Sequence, residues 1–322
     1  MSIIDTGLPD GTEDFVGSKA KELENLRSSL LNKFYKDGCE LVIPSLIEYT
    51  ESIGGVANNS LKDYTYSFSD ETAKAISIRP DISQQIARID IQEGVKNKKK
   101  YCYFGETLRK TKDSLTKSRI AYKAGVELFG NINSSDEIEI IKLLISSIKS
   151  TGKHKITLSL GRTEPLSELI GALDIPGNEV KILKKIMSSK SESDLEEFFL
   201  SKKFNKKLFL EFKSLMSLNG KNESLKFLKK HKRKAFRDAA MKLGKVIKSL
   251  PKFIDYHLDF SDFPGFDYHS GLVFSIHVKG FGFSLAKGGQ YNAGHQSAKR
   301  DAIGFDINVS SLLKLNNQEW IL

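Results

Sequence analysis

The order of the local patterns constrains the fold of this chain most: strands come first, a long helical block follows, and strands then return. Residues 1–161 hold several runs of alternating apolar residues, and such runs resume after residue 252. In 162–251 the apolar residues recur at helical spacing, with SKSESD as a loop. Because strands and helices do not alternate regularly, we expect an α+β protein with an antiparallel sheet flanked by helices, not a βαβ protein.

The same order predicts the domain organisation. Residues 1–161 and 252–322 are expected to form one core, and 162–251 a helical, lysine-rich insertion. A chain of 322 residues, of which 39% are apolar, is long enough to bury a substantial core together with a smaller inserted domain.

Composition excludes several classes of protein. Two cysteines, Cys39 and Cys102, are too few for a disulfide framework and lack a zinc-binding spacing, which favours a reducing cytoplasm. The six histidines are scattered, so we expect no metal ion, and we expect no cofactor either. No signal-peptide pattern and no apolar run of membrane-spanning length is present, so we expect no membrane partner.

The net charge of +10 is concentrated in one segment. Residues 202–252 hold 17 Lys and Arg against three acidic residues, a net charge of +14, which leaves −4 for the rest of the chain. Apolar residues repeat on one side of the helices predicted here, so the simplest interpretation is a solvated, lysine-rich helix face. The alternative is a face that binds phosphate groups or a partner.

Three local patterns give specific expectations. Apolar residues at helical spacing predict a helix over residues 18–36, with Gly38 just past its end. The run CELVIPSLIEYT predicts a strand interrupted by Pro44. Ser134 and Ser135 are predicted to cap the helix that follows them.

Six groups of short motifs follow one another in an order that is informative as a whole. They are LPDGTEDF, GCELVIPSLIEYTE, SIRPDISQQIAR, YFGETLRK with KSRIAYKAGVELFG, FPGFDYHSGLVF with AKGGQYNAG, and AIGFDINVSSLL. Together they resemble the catalytic core of class II aminoacyl-tRNA synthetases and, within that class, the histidyl-tRNA synthetase family. Any one match alone is weak, but six in the right order are strong.

The resemblance covers most of residues 8–160 and 253–315. It implies the antiparallel sheet of the class II synthetases, flanked by helices and carrying a helical insertion. GCELVIPSLIEYTE is similar to motif 1, so the resemblance also implies a self-dimer through this region.

Departures from the family pattern indicate that the chain does not activate an amino acid. Of three family arginines that stabilise the negatively charged transition state, Arg109 is kept, but Pro264 and Ser311 stand where the other two would be. Thr111 replaces a motif 2 glutamate. Losing two such cations should be nearly prohibitive, since one loss costs on the order of 10²–10³ in rate. The sequence also ends about where the family's anticodon-binding domain would begin, so we expect no such domain and no tRNA partner.

The resemblance implies that the amino-acid pocket is better preserved than the activating groups. The residues it assigns to histidine binding are Asp81, Ser83, Glu127, Tyr268, His269 and Tyr291. Glu127 stands at the position that faces the imidazole and would accept its N–H. Lys123 replaces a glutamine that touches the α-amino group, and a cation there opposes an ammonium group unless nearby carboxylates offset it.

Each of these residues also has a purely structural interpretation. Tyr268 and Tyr291 would be core tyrosines bonded to the backbone, and Arg79 would form an ion pair with Asp81. The glycines of the two histidine-specific motifs would be simple strand bends. Arg109, without its partners, would be a leftover structural cation in a vestigial nucleotide site.

A synthetase-like core without these arginines is similar to a paralogous family, the regulatory subunits of ATP phosphoribosyltransferase. That resemblance implies no catalysis by this chain, a hetero-oligomer with the short-form catalytic subunit, and histidine as a feedback effector of the first step of histidine biosynthesis. Two rivals stay open: a histidine-activating ligase, for which Arg109 is the only positive sign, and an RNA-binding module that uses residues 202–252.

Overall fold

The computed structural model describes residues 7–53, 59–94, 96–113, 116–261, 269–293 and 300–317. Pro264 and Tyr268, which carry two of the expectations above, lie outside these residues. No helix in the described part of the chain is both long enough and apolar enough to cross a membrane.

The helices and strands have the following boundaries. The helices are α1 (Ser18–Lys36), α2 (Ser83–Glu93), α3 (Ser134–Thr151), α4 (Glu164–Gly171), α5 (Gly177–Ser189), α6 (Glu192–Ser201), α7 (Lys206–Met216), α8 (Asn222–Lys230), α9 (Lys234–Ser249) and α10 (Val309–Asn316). The strands are β1 (Glu40–Leu41), β2 (Ile47–Tyr49), β3 (Ser67–Ser69), β4 (Ala75–Ile78), β5 (Lys99–Leu108), β6 (Ile120–Phe129), β7 (Ile156–Arg162), β8 (Asn219–Gly220), β9 (Asp255–Asp259), β10 (His269–Val278), β11 (Phe281–Ala293) and β12 (Arg300–Asn308).

The chain forms two compact units. The first unit comprises Met1–Asn131, Leu143–His154 and Ala293–Leu322, and the second comprises Ile132–Lys142 and Lys155–Asn292. Because α4 to α9 all fall between residues 162 and 251, that segment is helical as expected, apart from the two-residue strand β8. Its status as a separate inserted domain stays a prediction.

The first unit is built on strands β1, β5, β6 and β12, which are neighbours in that order. β5, β6 and β12 are antiparallel, while β1 runs parallel to β5. A second, small antiparallel sheet has the order β2-β4-β3. The predicted helix over residues 18–36 is confirmed as α1, whose apolar side buries Leu26, Leu30, Leu31 and Phe34.

In the second unit the strand order is β11-β10-β7-β9-β8. The pairs are antiparallel except β7 with β9, which is parallel. The prediction of an α+β fold with a largely antiparallel sheet is confirmed, and the two parallel pairs are an addition that the pattern did not predict. In the helical part, the rings of Phe204, Phe209 and Phe212 lie 5.4–5.7 Å from Phe199.

Three local predictions need correction. The stretch around Pro44 is not one strand but two, β1 and β2, which belong to different sheets. The helix α3 is capped by Asn133, whose side-chain oxygen accepts hydrogen bonds from the backbone N–H groups of Ser135 and Asp136. SKSESD is not a loop throughout: α6 begins within it, capped by the Ser191 hydroxyl.

Candidate functional site

One face of β5, β6 and β12 in the first unit carries most of the expected site residues. Alternate residues of a strand point to the same face, so the register of the three strands decides which side chains meet. The cross-strand rows on this face are Tyr101–Glu127–Gly304, Tyr103–Gly125–Asp306 and Gly105–Lys123–Asn308.

Each row contains a glycine whose missing side chain makes room for a neighbour. A Cβ atom on Gly304 would lie 1.9 Å from Oε2 of Glu127, and one on Gly125 would lie 2.3 Å from the hydroxyl of Tyr103. A Cβ atom on Gly105 would lie 2.5 Å from Nη2 of Arg79. The three glycines therefore allow larger side chains to lean across the sheet. We call this glycine-floored face the recess.

Arg79 is a structural residue, but not in the way that the sequence indicated. Its guanidinium group donates to the carbonyl oxygens of Glu106 at 2.7 Å and Pro44 at 2.8 Å. Burial lowers its pKa, and carboxylates nearby partly oppose that effect. The proposed ion pair with Asp81 is therefore wrong: Arg79 ties the segment around Pro44 to the sheet.

Lys123 has a partner that sequence reasoning missed. Its ammonium Nζ lies 2.6 Å from Oδ1 of Asp306 on the neighbouring strand. The two residues are diagonal neighbours, since Asp306 is directly opposite Gly125 and Lys123 is opposite Asn308. A single acidic residue in the otherwise apolar run AIGFDINV was the available signal.

Asp81 and Ser83 stand at the entry to α2. The carboxylate of Asp81 accepts a hydrogen bond from the backbone N–H of Ile82 at 2.9 Å. Burial raises the pKa of Asp81 above its usual value, Asp306 raises it further, and Arg109 and Lys123 lower it. The hydroxyl of Ser83 lies 3.5 Å from that of Tyr103, at the outer limit of a hydrogen bond.

Two further groups complete the chemistry of the recess. Glu127 is almost fully buried. Burial raises the pKa of Tyr103 well above its usual value, and so do Glu127, Asp306 and Asp81 in that order. Tyr103, another residue that the sequence analysis missed, therefore keeps its proton and can donate a hydrogen bond.

Arg109 is exposed at the end of β5. Its Nε donates to the carbonyl oxygen of Pro80 at 3.0 Å, which anchors the side chain through one N–H group. Its charge acts on Asp81, whose pKa it lowers. The guanidinium group therefore borders the recess.

Ser311, which stands where the family has an arginine, is buried in the first turn of α10. The side chain of Asn308 accepts a hydrogen bond from the Ser311 N–H at 3.0 Å, and the Ser310 hydroxyl accepts one from the Tyr122 N–H at 2.9 Å. The N-terminus of this helix is therefore capped by uncharged side chains of the protein itself.

The remaining expected residues belong to the second unit. His269 on β10 is directly opposite Tyr291 on β11. A Cβ atom on Gly289 would lie 2.4 Å from the His269 ring, and one on Gly271 would lie 2.2 Å from the amide oxygen of Gln290. These glycines are therefore close-contact positions rather than simple bends. Tyr291 is buried, and Tyr268 lies outside the described residues.

The recess contains more negative than positive charge when its groups are ionised. The carboxylates are Asp81, Glu127 and Asp306, and the cations are Lys123 and Arg109. Such a site favours a ligand that carries an ammonium or another cationic group. In the described ranges, no group of three or more His, Cys, Asp or Glu side chains is arranged to hold a metal ion.

Comparisons with known proteins agree on one family. The family model described as histidyl-tRNA synthetase matches residues 11–312. The ATP phosphoribosyltransferase regulatory subunit of Marinomonas sp. (strain MWYL1) is 30% identical over 328 residues, which cover 96% of this chain and 82% of that protein.

Two solved structures share the fold. An ATP phosphoribosyltransferase regulatory subunit/histidyl-tRNA synthetase from Bacillus halodurans C has a TM-score of 0.84 at 19% identity, and the match covers 97% of this chain and 83% of that chain. A chain of the ATP phosphoribosyl transferase (HisG:HisZ) complex from Thermotoga maritima has a TM-score of 0.67 at 17% identity, covering 89% of this chain and 97% of that chain. With a family model that matches almost the whole chain and a relative at 30% identity, the chain belongs to the histidyl-tRNA synthetase family, in the group that contains the ATP phosphoribosyltransferase regulatory subunits.

Proposed function

We propose that this chain is a non-catalytic regulatory subunit of ATP phosphoribosyltransferase, which works with a short-form catalytic subunit in the cytoplasm at the first step of histidine biosynthesis. The observation that carries the proposal is the relative from Marinomonas, which is named a regulatory subunit and is 30% identical along 96% of this chain. A chain of the same fold in the Thermotoga complex supports a hetero-oligomer.

The charges of the recess support a binding role over amino-acid activation. An adenylate-forming transition state gains negative charge and needs preorganised cations around it. Here the buried, uncharged Ser311 stands at the position of one family arginine. In the recess, three carboxylates outnumber two cations. The balance of charge therefore opposes the reaction that the synthetases perform.

The effector of the proposed subunit is histidine. Asp81, Ser83 and Glu127, all in the first unit, would bind it. The family resemblance also assigns Tyr268, His269 and Tyr291 to histidine binding. Carboxylates suit its ammonium group, and Glu127 suits an imidazole N–H. By linkage, histidine inhibits the joint assembly only if it binds the inactive state more tightly than the active one.

A self-dimer through the motif 1 region is part of the proposal. Apolar side chains of this region and of the small sheet beside it are exposed, with Ile43 at 78% of its maximal surface and Tyr49 and Phe68 near half. Tyr49 and Phe68 lie on either side of Ile76 in the small sheet, and neighbouring exposed apolar residues of this kind favour an interaction site.

Reconstitution with a short-form ATP phosphoribosyltransferase tests the proposed function. We expect formation of phosphoribosyl-ATP to rise at least tenfold when this chain is added, and histidine to inhibit the mixture but not the catalytic subunit alone. A rate indifferent to the added chain would contradict the proposal. So would histidine-dependent ATP–pyrophosphate exchange by the chain alone, which is the result that the ligase alternative predicts.

A further inference from the structure

We propose that the Lys123–Asp306 ion pair is exchanged for the two charges of a bound amino acid, so that the recess accepts a ligand only if it carries an ammonium and a carboxylate together. The ligand ammonium takes the place of the Lys123 ammonium beside Asp306 and Asp81. The ligand carboxylate takes the place of the Asp306 carboxylate beside Lys123. This inference rests on the proposed function, because it concerns how the same site selects its effector.

The first observation is that the pair is formed but within reach of solvent. Nζ of Lys123 and Oδ1 of Asp306 are 2.6 Å apart, and the two side chains keep 19% and 27% of their maximal surface. Gly125, directly opposite Asp306, has no side chain of its own, and the Tyr103 hydroxyl that leans across it lies next to the pair. A small ligand can therefore approach both charged groups from the open side of the sheet.

The second observation is the surplus carboxylate that faces the pair. Asp81 and Asp306 are close enough that Asp306 raises the pKa of Asp81, an effect second only to burial. One lysine thus serves two neighbouring carboxylates. An added ammonium group lowers this repulsion, while the released Lys123 needs an anion in return.

Exchange of a whole pair explains why both ligand charges are required. An amine without a carboxylate would occupy Asp306 and leave Lys123 partly buried and unpaired. An acid without an amine would occupy Lys123 and leave Asp306 opposite Asp81 with no cation between them. Removing one partner of a buried ion pair is costly because the other charge stays desolvated, whereas replacing both charges together is not.

Isothermal titration calorimetry on the full chain tests the exchange with three probes: L-histidine, histidinol, which lacks the carboxylate, and imidazolelactate, which lacks the amine. For the wild-type chain we expect both analogues to bind about 30-fold more weakly than histidine or worse. In the double variant Lys123→Gln with Asp306→Asn we expect the preference for histidine over histidinol to fall below about threefold, since no lysine remains for the carboxylate to pair with.

Three matched variants separate this proposal from simpler ones. Lys123→Arg keeps the pair and should keep the preference, while Lys248→Gln on the exposed side of α9 should change nothing. Arg109→Gln should also keep the preference; loss of the preference there and not in the double variant would overturn the exchange. Far-ultraviolet circular dichroism of each variant checks that it is folded.

The outcomes distinguish this inference from the proposed function. If histidine binds but the double variant still rejects histidinol as strongly as the wild type does, the exchange is wrong and the regulatory role stands. If histidinol binds the wild-type chain as tightly as histidine, the exchange is wrong as well. If histidine does not bind the wild-type chain, alone or with the catalytic subunit, both proposals fail.

Discussion

Charged side chains on the sheet strands and those on helices α8 and α9 are placed in opposite ways. On the strands, Lys123 pairs with Asp306, and the buried Arg162 pairs with Glu137 and Glu164. On α8 and α9 most lysines face water, although Lys242 pairs with Glu164 at 3.3 Å. Lys226, Lys229, Lys230, Lys234, Lys245 and Lys248 are all exposed, and within the described residues none has an ion-pair partner.

The difference shows that a segment with a high net charge is not necessarily the one whose charges matter for stability or binding. Residues 202–252 carry a net charge of +14, yet the rings of Phe204, Phe209 and Phe212 in this region pack against Phe199 instead of offering a surface on which bases could stack. Lys234, Lys245 and Lys248 lie on the side of α9 opposite its buried Phe236 and Leu243. These features support the solvated-face interpretation over an RNA-binding one.

Among the substitutions that test this difference between strand and helix charges, we expect the largest loss of stability at Arg162. Its guanidinium Nη1 is 2.9 Å from Glu137 and Nη2 is 2.8 Å from Glu164, with 1% of the side chain exposed. Arg162→Met leaves Glu137 without this cation and Glu164 with only Lys242, at 3.3 Å, so we expect the free energy of unfolding to fall by about 3–5 kcal/mol. Lys245→Met on α9 should change it by less than about 0.5 kcal/mol. Urea unfolding at pH 7 measures both.

At acid pH, Arg162→Met should lower the free energy of unfolding by less than it does at pH 7. Burial alone would raise the pKa of Glu164, but Arg162 outweighs it and the pKa lies below its usual value. In the wild-type chain this contribution to stability is complete above the unfolded-state pKa and is lost as pH falls through the folded-state pKa. In the variant, protonation of Glu164 relieves a carboxylate that has lost its main cation. If the difference in free energy of unfolding between the wild-type chain and the variant grows as the pH falls from 7 to 4, this account is wrong.

The second prediction compares glycines in the two regions. Gly304→Ala would place Cβ 1.9 Å from the Glu127 carboxylate and 2.6 Å from the carbonyl oxygen of Val126, so we expect a loss of about 3 kcal/mol and weaker histidine binding. Gly244→Ala on α9 meets nothing within 4 Å and should stabilise by about 0.5–1 kcal/mol. Urea unfolding measures both variants. If Gly304→Ala also stabilises the chain, the recess has more room for a side chain at this position than the distances imply.

The contrast also explains how far the sequence predicts the molecule. Local signals suffice for α1, whose apolar spacing and following Gly38 match the observed ends. They mislead at α3, because Asn133 and the two serines after it are all good capping residues and only the hydrogen bonds decide among them.

Long-range pairs are where the sequence is silent. Lys123 and Asp306 are 183 residues apart, and their meeting depends on strand register rather than on any local pattern. Likewise, a glycine within a strand signals a close approach, but only the register shows that Gly304 makes room for Glu127. The family resemblance supplied Asp81 and Glu127, but it gave no role to Asp306, although Asp306 lies within the quoted motif AIGFDINVSSLL.

The third prediction concerns Asp81, where stability and binding should change in opposite directions. Burial and Asp306 raise its pKa, so ionisation at neutral pH costs stability, and the penalty grows as pH rises from the unfolded-state pKa through the folded-state pKa. We expect Asp81→Asn to stabilise the chain by up to about 1 kcal/mol at pH 7 and to have no effect below about pH 4. Histidine affinity should fall by about 30-fold or more, since the ammonium loses a charged partner.

Thermal unfolding across pH and calorimetric titration measure the two effects on the same protein. Asp238→Asn on α9, also an acidic residue but outside the recess, is the matched control and should leave histidine binding unchanged. A destabilised Asp81→Asn protein at neutral pH would mean that its carboxylate mainly supports the fold through the Ile82 N–H, rather than being held in place for a ligand.

The smallest effect is expected where the charge is densest. Replacing Lys234, Lys245 and Lys248 together by Gln removes three unpaired cations from the exposed side of α9, so the free energy of unfolding should change by no more than about 0.5 kcal/mol. Any gain should appear at low salt and vanish at high salt, because mutual repulsion between exposed charges is screened. Activation of the catalytic subunit by the triple variant, measured over the same range of salt, should match that by the wild-type chain. If the triple variant activates the catalytic subunit less, and high salt weakens activation by the wild-type chain in the same way, these lysines are part of the interface with the catalytic subunit. The contrast between paired strand charges and solvated helix charges would then hold only for the free chain.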